Sequence, residues 1–345
     1  MRTRGRIHLL FFILFYTAIF SAGVVLINAA PTKNELTVLA ARVIHEYRKI
    51  PEEKYVSFHP MAGFGDILKG SSSVFYLALV TGRRYHSYFN TNGAFTPLVS
   101  THMADGVECH PHANMIEISD GDYDDLAAAW ERAAPPAEEQ CWNAAMNGEA
   151  AYFFVHKFNY TMLLDLESED LFWIYTYIFW QLPSPSLIAQ MEYSHIDVAV
   201  QMRVTENKLA PERALQCFLK EIRVLCLNVQ PCYVFVTSDD TSVTNSMKGI
   251  LQDLDPNIVP FTSEMTAHHI AFTTSLEEQF VTLYDWWHLT RARNLLISRS
   301  GFGETAGWRN KFDVDVFKSL DTHTNLCLWN NCHGRPQKRD GWNYC

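Results

Sequence analysis

Short apolar segments alternate with amphipathic helices along most of this chain, and this alternation constrains its fold more than any other feature. Runs rich in β-branched and aromatic residues predict strands, and apolar residues at helical spacing predict the helices between them. The predicted strands cover 55–58, 85–89, 197–202, 232–237, a short stretch near 258, and 295–298, and the predicted helices cover 66–81, 211–227, 241–251, 276–293 and a stretch from about 304. Strands joined by helices form parallel sheets with helices on their faces, so the sequence predicts an α/β fold.

The α/β pattern is interrupted in the middle of the chain, which indicates two domains. From about 100 to 150 the sequence is rich in Asp, Ala, Pro and Glu, and a dense aromatic helix over 172–180 ends at Pro183. That helix is too short to cross a bilayer, which takes about 20 residues, so we place it at a domain seam. The 345 residues, 48% of them apolar, suffice for two full cores. We predict two Rossmann-like domains, over 55–185 and 186–345, that face each other across a cleft.

The amino terminus carries a targeting signal. Arg2, Arg4 and Arg6 precede an uncharged apolar run from 9 to 27 that is long enough to span a membrane. Because the positive charges lie before the run, we predict a cytosolic tail over 1–8, a type II transmembrane signal anchor over 9–28, and a lumenal body joined through a stem over 29–54. A cleaved secretory signal ending near Ala30 is the alternative, although its apolar run is unusually long for that role.

Charge and cysteine content narrow the partners and the compartment. A net charge of −10 provides no basic surface to neutralise a phosphate backbone, which argues against nucleic acid as a partner. Eight cysteines indicate an oxidising compartment, but their pairing cannot be read from their spacing. The Cys327/Cys332 spacing permits a local loop, and Cys217, Cys226 and Cys232 lie close enough together to compete for partners.

One sequon, Asn159-Tyr160-Thr161, is an acceptor for an N-glycan in such a compartment. By itself it says nothing about activity.

Polar residues follow a predicted strand in several places, at the edge where an open α/β sheet binds ligands. The first place is the turn that contains Gly63 and Gly65 and leads into a helix at Asp66. Glycines at such a turn let the backbone approach a ligand and point N–H groups at an anion. A plain strand-to-helix turn is an equally good interpretation of these two glycines.

The second place is the end of the strand over 197–202, where Gln201, Arg203 and Glu206 follow one another closely. The planar, permanently charged guanidinium fits phosphate oxygens. A fixed cation also stabilises the negative charge that builds on a leaving diphosphate. We therefore predict that Arg203 contacts a diphosphate, and the alternative is a surface arginine paired with Glu206 or Glu212.

The third place is the end of the strand over 232–237, which is followed by Asp239 and Asp240. Their carboxylates suit ribose hydroxyls or a guanine ring, and they equally suit the N-cap of the next helix. A similar segment places Ser298, Ser300 and Gly301 between the strand over 295–298 and another helix, and predicts a second anion-binding turn.

In their order along the chain, these motifs resemble those of the fucosyltransferases that use GDP-fucose. Segment 59–86 resembles the G-x-G-[DN] opening of the plant cell-wall enzymes, and 198–206 resembles the H-x-R-R-T-D segment of the alpha-1,6 and rhizobial Nod-factor enzymes. Segment 234–240 is similar to their [FY]-[IV]-[AS]-[TS]-D-D strand, and 283–305 to their final D-x-x-x-L to S-x-[FS]-S block. The resemblance covers roughly residues 55 to 310 and is carried by short motifs rather than by continuous identity.

The resemblance implies a GT-B architecture and an inverting transfer of fucose from GDP-fucose to a glycan or glycoprotein, with no essential metal and no cofactor. It implies that the domain over 55–185 lies on the acceptor side and that the domain over 186–345 binds the nucleotide sugar. It implies that Arg203 meets the β-phosphate, that Asp240 and Asp285 meet the ribose or guanine, and that Ser298 or Ser300 meets the phosphates. Together with the predicted anchor, it implies a single-pass Golgi membrane enzyme whose catalytic domain is lumenal.

Two positions depart from the family pattern, and the catalytic base is open. The histidine that precedes the family arginine is Gln201, which donates a hydrogen bond but cannot become cationic, and the second arginine is Val204. An inverting transfer needs a base to take the proton of the acceptor hydroxyl. Glu212 corresponds to the family glutamate if one residue is inserted, and Glu206 and Asp66 are the alternatives.

Other classes of function remain as alternatives. A metal-dependent GT-A transferase needs a D-x-D after an apolar strand; Asp253-Leu-Asp255 and Asp313-Val-Asp315 spell it, but neither follows a good strand. A catalytically silent lumenal lectin or scaffold is motivated by Gln201 and Val204. A hydrolase would need a G-x-S-x-G motif or a close carboxylate pair, which the segment around Ser300 does not supply.

Overall fold

A computed structural model describes most of the chain after the amino terminus. The described residues are 30–60, 63–87, 115–118, 123–146, 148–180, 195–204, 211–263, 276–321 and 326–332. The predicted tail, the predicted anchor and Glu206 lie outside them. Among the helices in these ranges, none combines the length and the apolar character needed to cross a membrane.

The first half of the chain forms a parallel sheet with helices packed on it. Its strands are β1 (Tyr55–Pro60), β2 (Arg84–Ser87), β3 (Met115–Ile118) and β4 (Cys141–Met146). Its helices are α1 (Lys33–Arg48), α2 (Phe64–Val80), α3 (Tyr123–Ala133), α4 (Ala151–Lys157) and α5 (Ser168–Phe179). The strand order is β2-β1-β4-β3, with every neighbouring pair parallel.

The second half forms a larger sheet that is parallel except at one edge. Its strands are β5 (Ile196–Met202), β6 (Cys232–Ser238), β7 (Ile258–Phe261), β8 (Ala292–Ser298), β9 (Val316–Leu320) and β10 (Trp329–Asn331). Its helices are α6 (Pro211–Cys226), α7 (Thr241–Leu254), α8 (Leu276–Leu289) and α9 (Gly301–Arg309). The strand order is β10-β9-β8-β5-β6-β7, and only β10 runs antiparallel to its neighbour. The predicted α/β class with parallel sheets is therefore confirmed.

The segment predicted as a stem contributes to the folded body. Helix α1 opens with a capping box between Thr32 and Glu35, and it buries Leu36, Ala40 and Val43 completely. These apolar residues recur at helical spacing, so one face of α1 packs into the core while the other stays in solvent.

The two sheets share one hydrophobic core through the helices between them. Phe64 at the start of α2 packs against Trp180 after α5, against Trp286 of α8 and against Phe302 of α9, with ring centroids 5.8–6.1 Å apart. The aromatic helix predicted at a domain seam is α5, and its Phe172 packs edge-to-face on Trp308 of α9. The halves are therefore joined along this seam, and the boundary predicted near 185 stays a prediction.

Cys327 and Cys332 are not bonded to each other, although their spacing allowed a local disulfide loop. Cys327 pairs with Cys217 of α6, and Cys226 pairs with Cys232, which closes the turn between α6 and β6. Cys141 and Cys332 each form a further disulfide. Because Cys217 and Cys327 are 110 residues apart in sequence, only the packing of α6 beside β10 brings them together.

Candidate functional site

The strand ends singled out in the sequence meet at the carboxyl edge of the second sheet. Strand β5 lies between β8 and β6, and Gln201 of β5 pairs with Thr237 of β6 and with Ile297 of β8. Ligands of open α/β sheets bind at this edge, outside the carboxyl ends of the strands.

Arg203 is held between the two neighbouring strand ends. Its backbone N–H donates to Ser298 Oγ at 2.6 Å, and the N–H of Val204 donates to Asp239 Oδ1 at 2.8 Å. The Arg203 side chain is half-buried rather than extended into bulk solvent. The structure thus brings Arg203, Ser298 and Asp239 together, as the motif order predicts, while their roles stay predictions.

Helix α9 begins at the same edge. Ser300 is its N-cap and accepts from the N–H of Phe302 at 3.2 Å, and Gly301 is its first residue. Free N–H groups and the helix dipole make such a helix start favourable for an anion. Ser300 and Gly301 therefore lie at the start of a helix, where the sequence predicts an anion-binding turn.

Asp240 is engaged as a helix cap. Its Oδ1 accepts from the N–H of Ser242 at 2.8 Å and from the Ser242 hydroxyl at 2.6 Å, at the start of α7. These hydrogen bonds lower the pKa of Asp240. The structure therefore shows Asp240 as a helix cap. Its contact with a nucleotide stays a prediction.

Asp285 reaches the site from α8, which covers the same face of the sheet as α9. Thr237 Oγ1 donates to its Oδ2, while its Oδ1 is buried with no hydrogen-bond partner among the described residues. Burial raises the pKa of Asp285 to about 7, although hydrogen bonds from Thr237 and Ser263 act in the opposite direction.

A second buried acceptor lies on β5, at the position that pairs with Thr237 of β6. Gln201 is 5% exposed, and its Oε1 also lacks a hydrogen-bond partner within the described ranges. Most buried polar atoms in folded proteins are hydrogen-bonded, so two bare oxygens at one sheet edge suggest an absent donor. A ligand that presents N–H groups would satisfy both oxygens.

The glycine turn of the first half reaches the same place, for a steric reason. A Cβ added to Gly65 would lie 2.2 Å from the carbonyl carbon of Gly301 and 2.4 Å from the nitrogen of Phe302. A Cβ added to Gly301 would in turn lie 3.2 Å from Asp66 Oδ1. The starts of α2 and α9 therefore touch through their backbones. Gly63 is the N-cap of α2, with no side-chain cap.

The candidate bases are separated in the structure. Asp66 faces the start of α9, whereas Glu212 is exposed in the first turn of α6, which packs on the opposite face of the second sheet. Glu206 lies outside the described residues. None of the three has been tested as a base, so the assignment stays a prediction.

The site region also contains a buried ion-pair network that was not predicted from the sequence. Lys69 Nζ of α2 lies 2.7 Å from Glu304 Oε2 of α9 and 3.5 Å from Glu149 Oε1. Burial alone would lower the pKa of Lys69, but Glu304 and Glu149 outweigh it and raise the pKa. Burial also raises the pKa of Glu149 to about 7. The signal in the sequence was a lysine in a helix whose only other charged residue is Asp66.

The two D-x-D spellings do not lie at this edge. Asp313 and Asp315 precede β9, where their exposed carboxylates pair with Lys33 and Arg293. Asp253 and Asp255 lie at the end of α7. Among the described residues no three His, Cys, Asp or Glu side chains form a cluster that could hold a metal ion. The GT-A alternative therefore lacks its expected strand context.

Comparison with known proteins finds similarity in structure but not in sequence. No protein-family profile and no curated protein sequence matches this chain.

Solved structures of two fucosyltransferases are similar to the chain. One is FUT1 of Arabidopsis thaliana, a point variant in complex with GDP, with 13% identity and a TM-score of 0.55 over 82% of this chain and 74% of that one. The other is the NodZ alpha-1,6-fucosyltransferase soaked with GDP-fucose, with 16% identity and a TM-score of 0.52 over 81% of this chain and 99% of that one. A further structure of NodZ, from Bradyrhizobium, has 17% identity and a TM-score of 0.50.

At these identities the likeness concerns the fold. It confirms, at that level, the resemblance read from the short motifs. The chain has the mixed α/β fold, built on parallel sheets, of GDP-fucose-dependent fucosyltransferases.

Proposed function

We propose that this protein is a glycosyltransferase that moves fucose from GDP-fucose to a hydroxyl of a glycan or glycoprotein. The observation that carries the proposal is the carboxyl edge of the second sheet. A half-buried arginine is held there between Ser298 and Asp239, beside two buried acceptor oxygens and the start of α9. The fold shared with FUT1 and NodZ supports the same class of reaction.

In this proposal the edge holds the donor through its diphosphate and its base. Arg203 and the amino end of α9 stabilise the negative charge that grows on GDP as its bond to fucose breaks. The N–H groups of guanine satisfy the bare oxygens of Asp285 and Gln201, and Ser298 and Ser300 line the path to the phosphates. The acceptor hydroxyl attacks the opposite face of the sugar, with inversion, while a carboxylate takes its proton.

The proposal extends to architecture and location. The two sheets correspond to two Rossmann-like GT-B domains, with the donor on the second and the acceptor entering from the first. The apolar run over 9–28 anchors the protein in the Golgi membrane as a single-pass type II protein with its body in the lumen. Arg203 supplies the charge stabilisation that a metal ion supplies in GT-A enzymes, so the transfer needs no metal.

The test is a donor screen with the full chain purified in detergent, in which free nucleotide released from each sugar nucleotide is measured with and without a glycan mixture. We expect acceptor-dependent GDP release from GDP-fucose that persists in EDTA. Loss of release in EDTA and recovery with Mn²⁺ would favour the GT-A alternative. Binding of GDP without transfer to any glycan would favour the silent lectin or scaffold that Gln201 and Val204 suggest.

Replacement of Arg203 by alanine tests the central residue of the proposal. Loss of one preorganised charge at the leaving group should lower the transfer rate about a hundredfold, or about 3 kcal/mol. Arg293→Ala is the matched control, because Arg293 is exposed and pairs with Asp315 at the opposite edge of the same sheet. A folded Arg203→Ala variant with an unchanged rate would contradict the assignment.

A further inference from the structure

A glycosylation sequon lies in an exposed turn on the first half of the chain. Asn159 and Thr161 are both exposed, directly after the end of α4. The turn is closed by backbone bonds from Asn159 to His156 at 3.0 Å and from Tyr160 to Val155 at 2.9 Å. Asn159 has a φ of 49°, a left-handed conformation that asparagine tolerates better than most residues.

The residue before the asparagine is an exposed aromatic ring. Phe158 is 37% exposed, although it also packs edge-to-face on Trp130 with ring centroids 5.7 Å apart. An aromatic face carries partial negative charge, and the C–H groups of a sugar ring carry partial positive charge. A sugar attached to Asn159 therefore finds an apolar platform on the adjacent residue.

The turn is remote from the candidate donor site. Trp130, the neighbour of Phe158, also packs on Trp142 near the amino end of β4, with centroids 6.4 Å apart. The donor site lies instead at the carboxyl ends of β5, β6 and β8. A glycan at Asn159 is thus compatible with access to GDP-fucose.

We propose that Asn159 carries an N-linked glycan whose first N-acetylglucosamine packs on Phe158. The donor is a lipid-linked oligosaccharide. The carboxamide nitrogen of Asn159 bonds to C1 of the reducing-end sugar, the bond from C1 to the lipid pyrophosphate breaks, and the nitrogen loses one proton. The inference rests on the lumenal orientation in the proposed function, and not on the transfer reaction.

The modification is tested on the full chain expressed in secretory-competent eukaryotic cells. We expect a mobility shift of one glycan on treatment with peptide N-glycosidase F, and no shift for Asn159→Gln or Thr161→Ala. An unshifted wild-type chain, or a shift that survives Asn159→Gln, would overturn the proposal. GDP release from GDP-fucose, measured on the same preparations, should be equal in the wild type and Asn159→Gln, so failure of the transfer function is recognised separately.

The packing on Phe158 is tested by trimming the glycan. Endoglycosidase H leaves the first N-acetylglucosamine on the protein, whereas peptide N-glycosidase F removes it. We expect the midpoint of thermal unfolding to stay unchanged after the first treatment and to fall by about 2 °C after the second. The fall should vanish in Phe158→Ala and return in Phe158→Tyr. An equal fall in Phe158→Ala would show that the sugar does not pack on this ring.

Discussion

Asp285 is a buried carboxyl group whose environment differs strongly from water. It is 1% exposed, and no described cation neutralises it. Hydrogen bonds from the hydroxyls of Thr237 and Ser263 favour the ionised form but do not offset the burial. In the proposed function, an N–H donor of guanine at this carboxyl group would favour its ionised form.

The raised pKa of Asp285 predicts how stability depends on pH. The folded pKa of about 7 exceeds the unfolded value of 3.8, so the folded protein holds the proton more tightly. Its contribution to the free energy of unfolding is therefore complete below about pH 4 and is lost as the pH rises through about 7. Asp285→Asn should lose this dependence. The free energy of unfolding of the wild type minus that of Asp285→Asn should therefore fall by roughly 2 to 3 kcal/mol between pH 5 and pH 8.

Chemical denaturation with the disulfides intact measures this difference. Taking the difference between the two proteins cancels the opposite effect of His288, whose pKa burial lowers to about 4. Parallel pH curves for the wild type and Asp285→Asn would show that Asp285 titrates normally.

The contact between the starts of the helices α2 and α9 positions the two halves of the molecule. Gly65 has no room for a side chain because the backbone of Gly301 and Phe302 occupies the space. Any side chain at Gly65 would push the start of α9 away, and with it Ser300. The glycine in the first turn of α2 thus serves the approach of one helix to another.

Gly65→Ala should destabilise the protein by about 2 kcal/mol or more, since overpacking of a closed contact forces the backbone to shift. Gly249→Ala in α7 is the matched control, because no atom lies within 4 Å of a Cβ added there. The control should stabilise the protein by roughly 0.5 to 1 kcal/mol, because alanine favours the helix more than glycine. The free energy of unfolding measures both changes, and a neutral Gly65→Ala would argue that the helices separate easily.

A buried ion pair between Lys69 and Glu304 joins the two halves of the molecule inside their common core. The side chain of Lys69 is 8% exposed and that of Glu304 is 2% exposed, and they lie on helices of different halves, α2 and α9. Removal of one partner from such a pair leaves an uncompensated charge in a medium that solvates it poorly. The pair therefore favours one alignment of the halves over others.

Lys69→Met should lower the free energy of unfolding by about 3 to 5 kcal/mol, and Lys69→Met with Glu304→Met should recover much of the loss. Lys33→Met is the control, because its pair with Asp313 is 51% and 64% exposed and should contribute less than about 1 kcal/mol. Chemical denaturation measures all three. Equal losses of unfolding free energy in the single and double variants would show that the unpaired carboxylate of Glu304 does not set the cost.

Side-chain periodicity was enough to predict the helices and strands whose sequence pattern is local. The predicted starts of α6, β6, α7 and α8 are confirmed, because each is marked by apolar spacing and by turn or capping residues. The predicted helix over 276–293 runs too far, since residues from Ala292 onward pair with β5 instead. The prediction missed β3 and β4. In β4, the sequence Cys141–Met146 contains Asn143 and two alanines, which favour strands weakly, and pairing with β1 on one side and β3 on the other makes it a strand.

The α/β class and the polar strand ends could be predicted from the amino-acid sequence, because both follow from side-chain period and from residues adjacent in the chain. Which groups meet depends on how the elements pack. The tertiary structure paired Cys217 with Cys327, placed Asp285 on Thr237, brought Gly65 against Gly301 and buried Lys69 beside Glu304. Each of these contacts joins residues far apart in sequence, and packing between elements, which no local pattern encodes, brings them together.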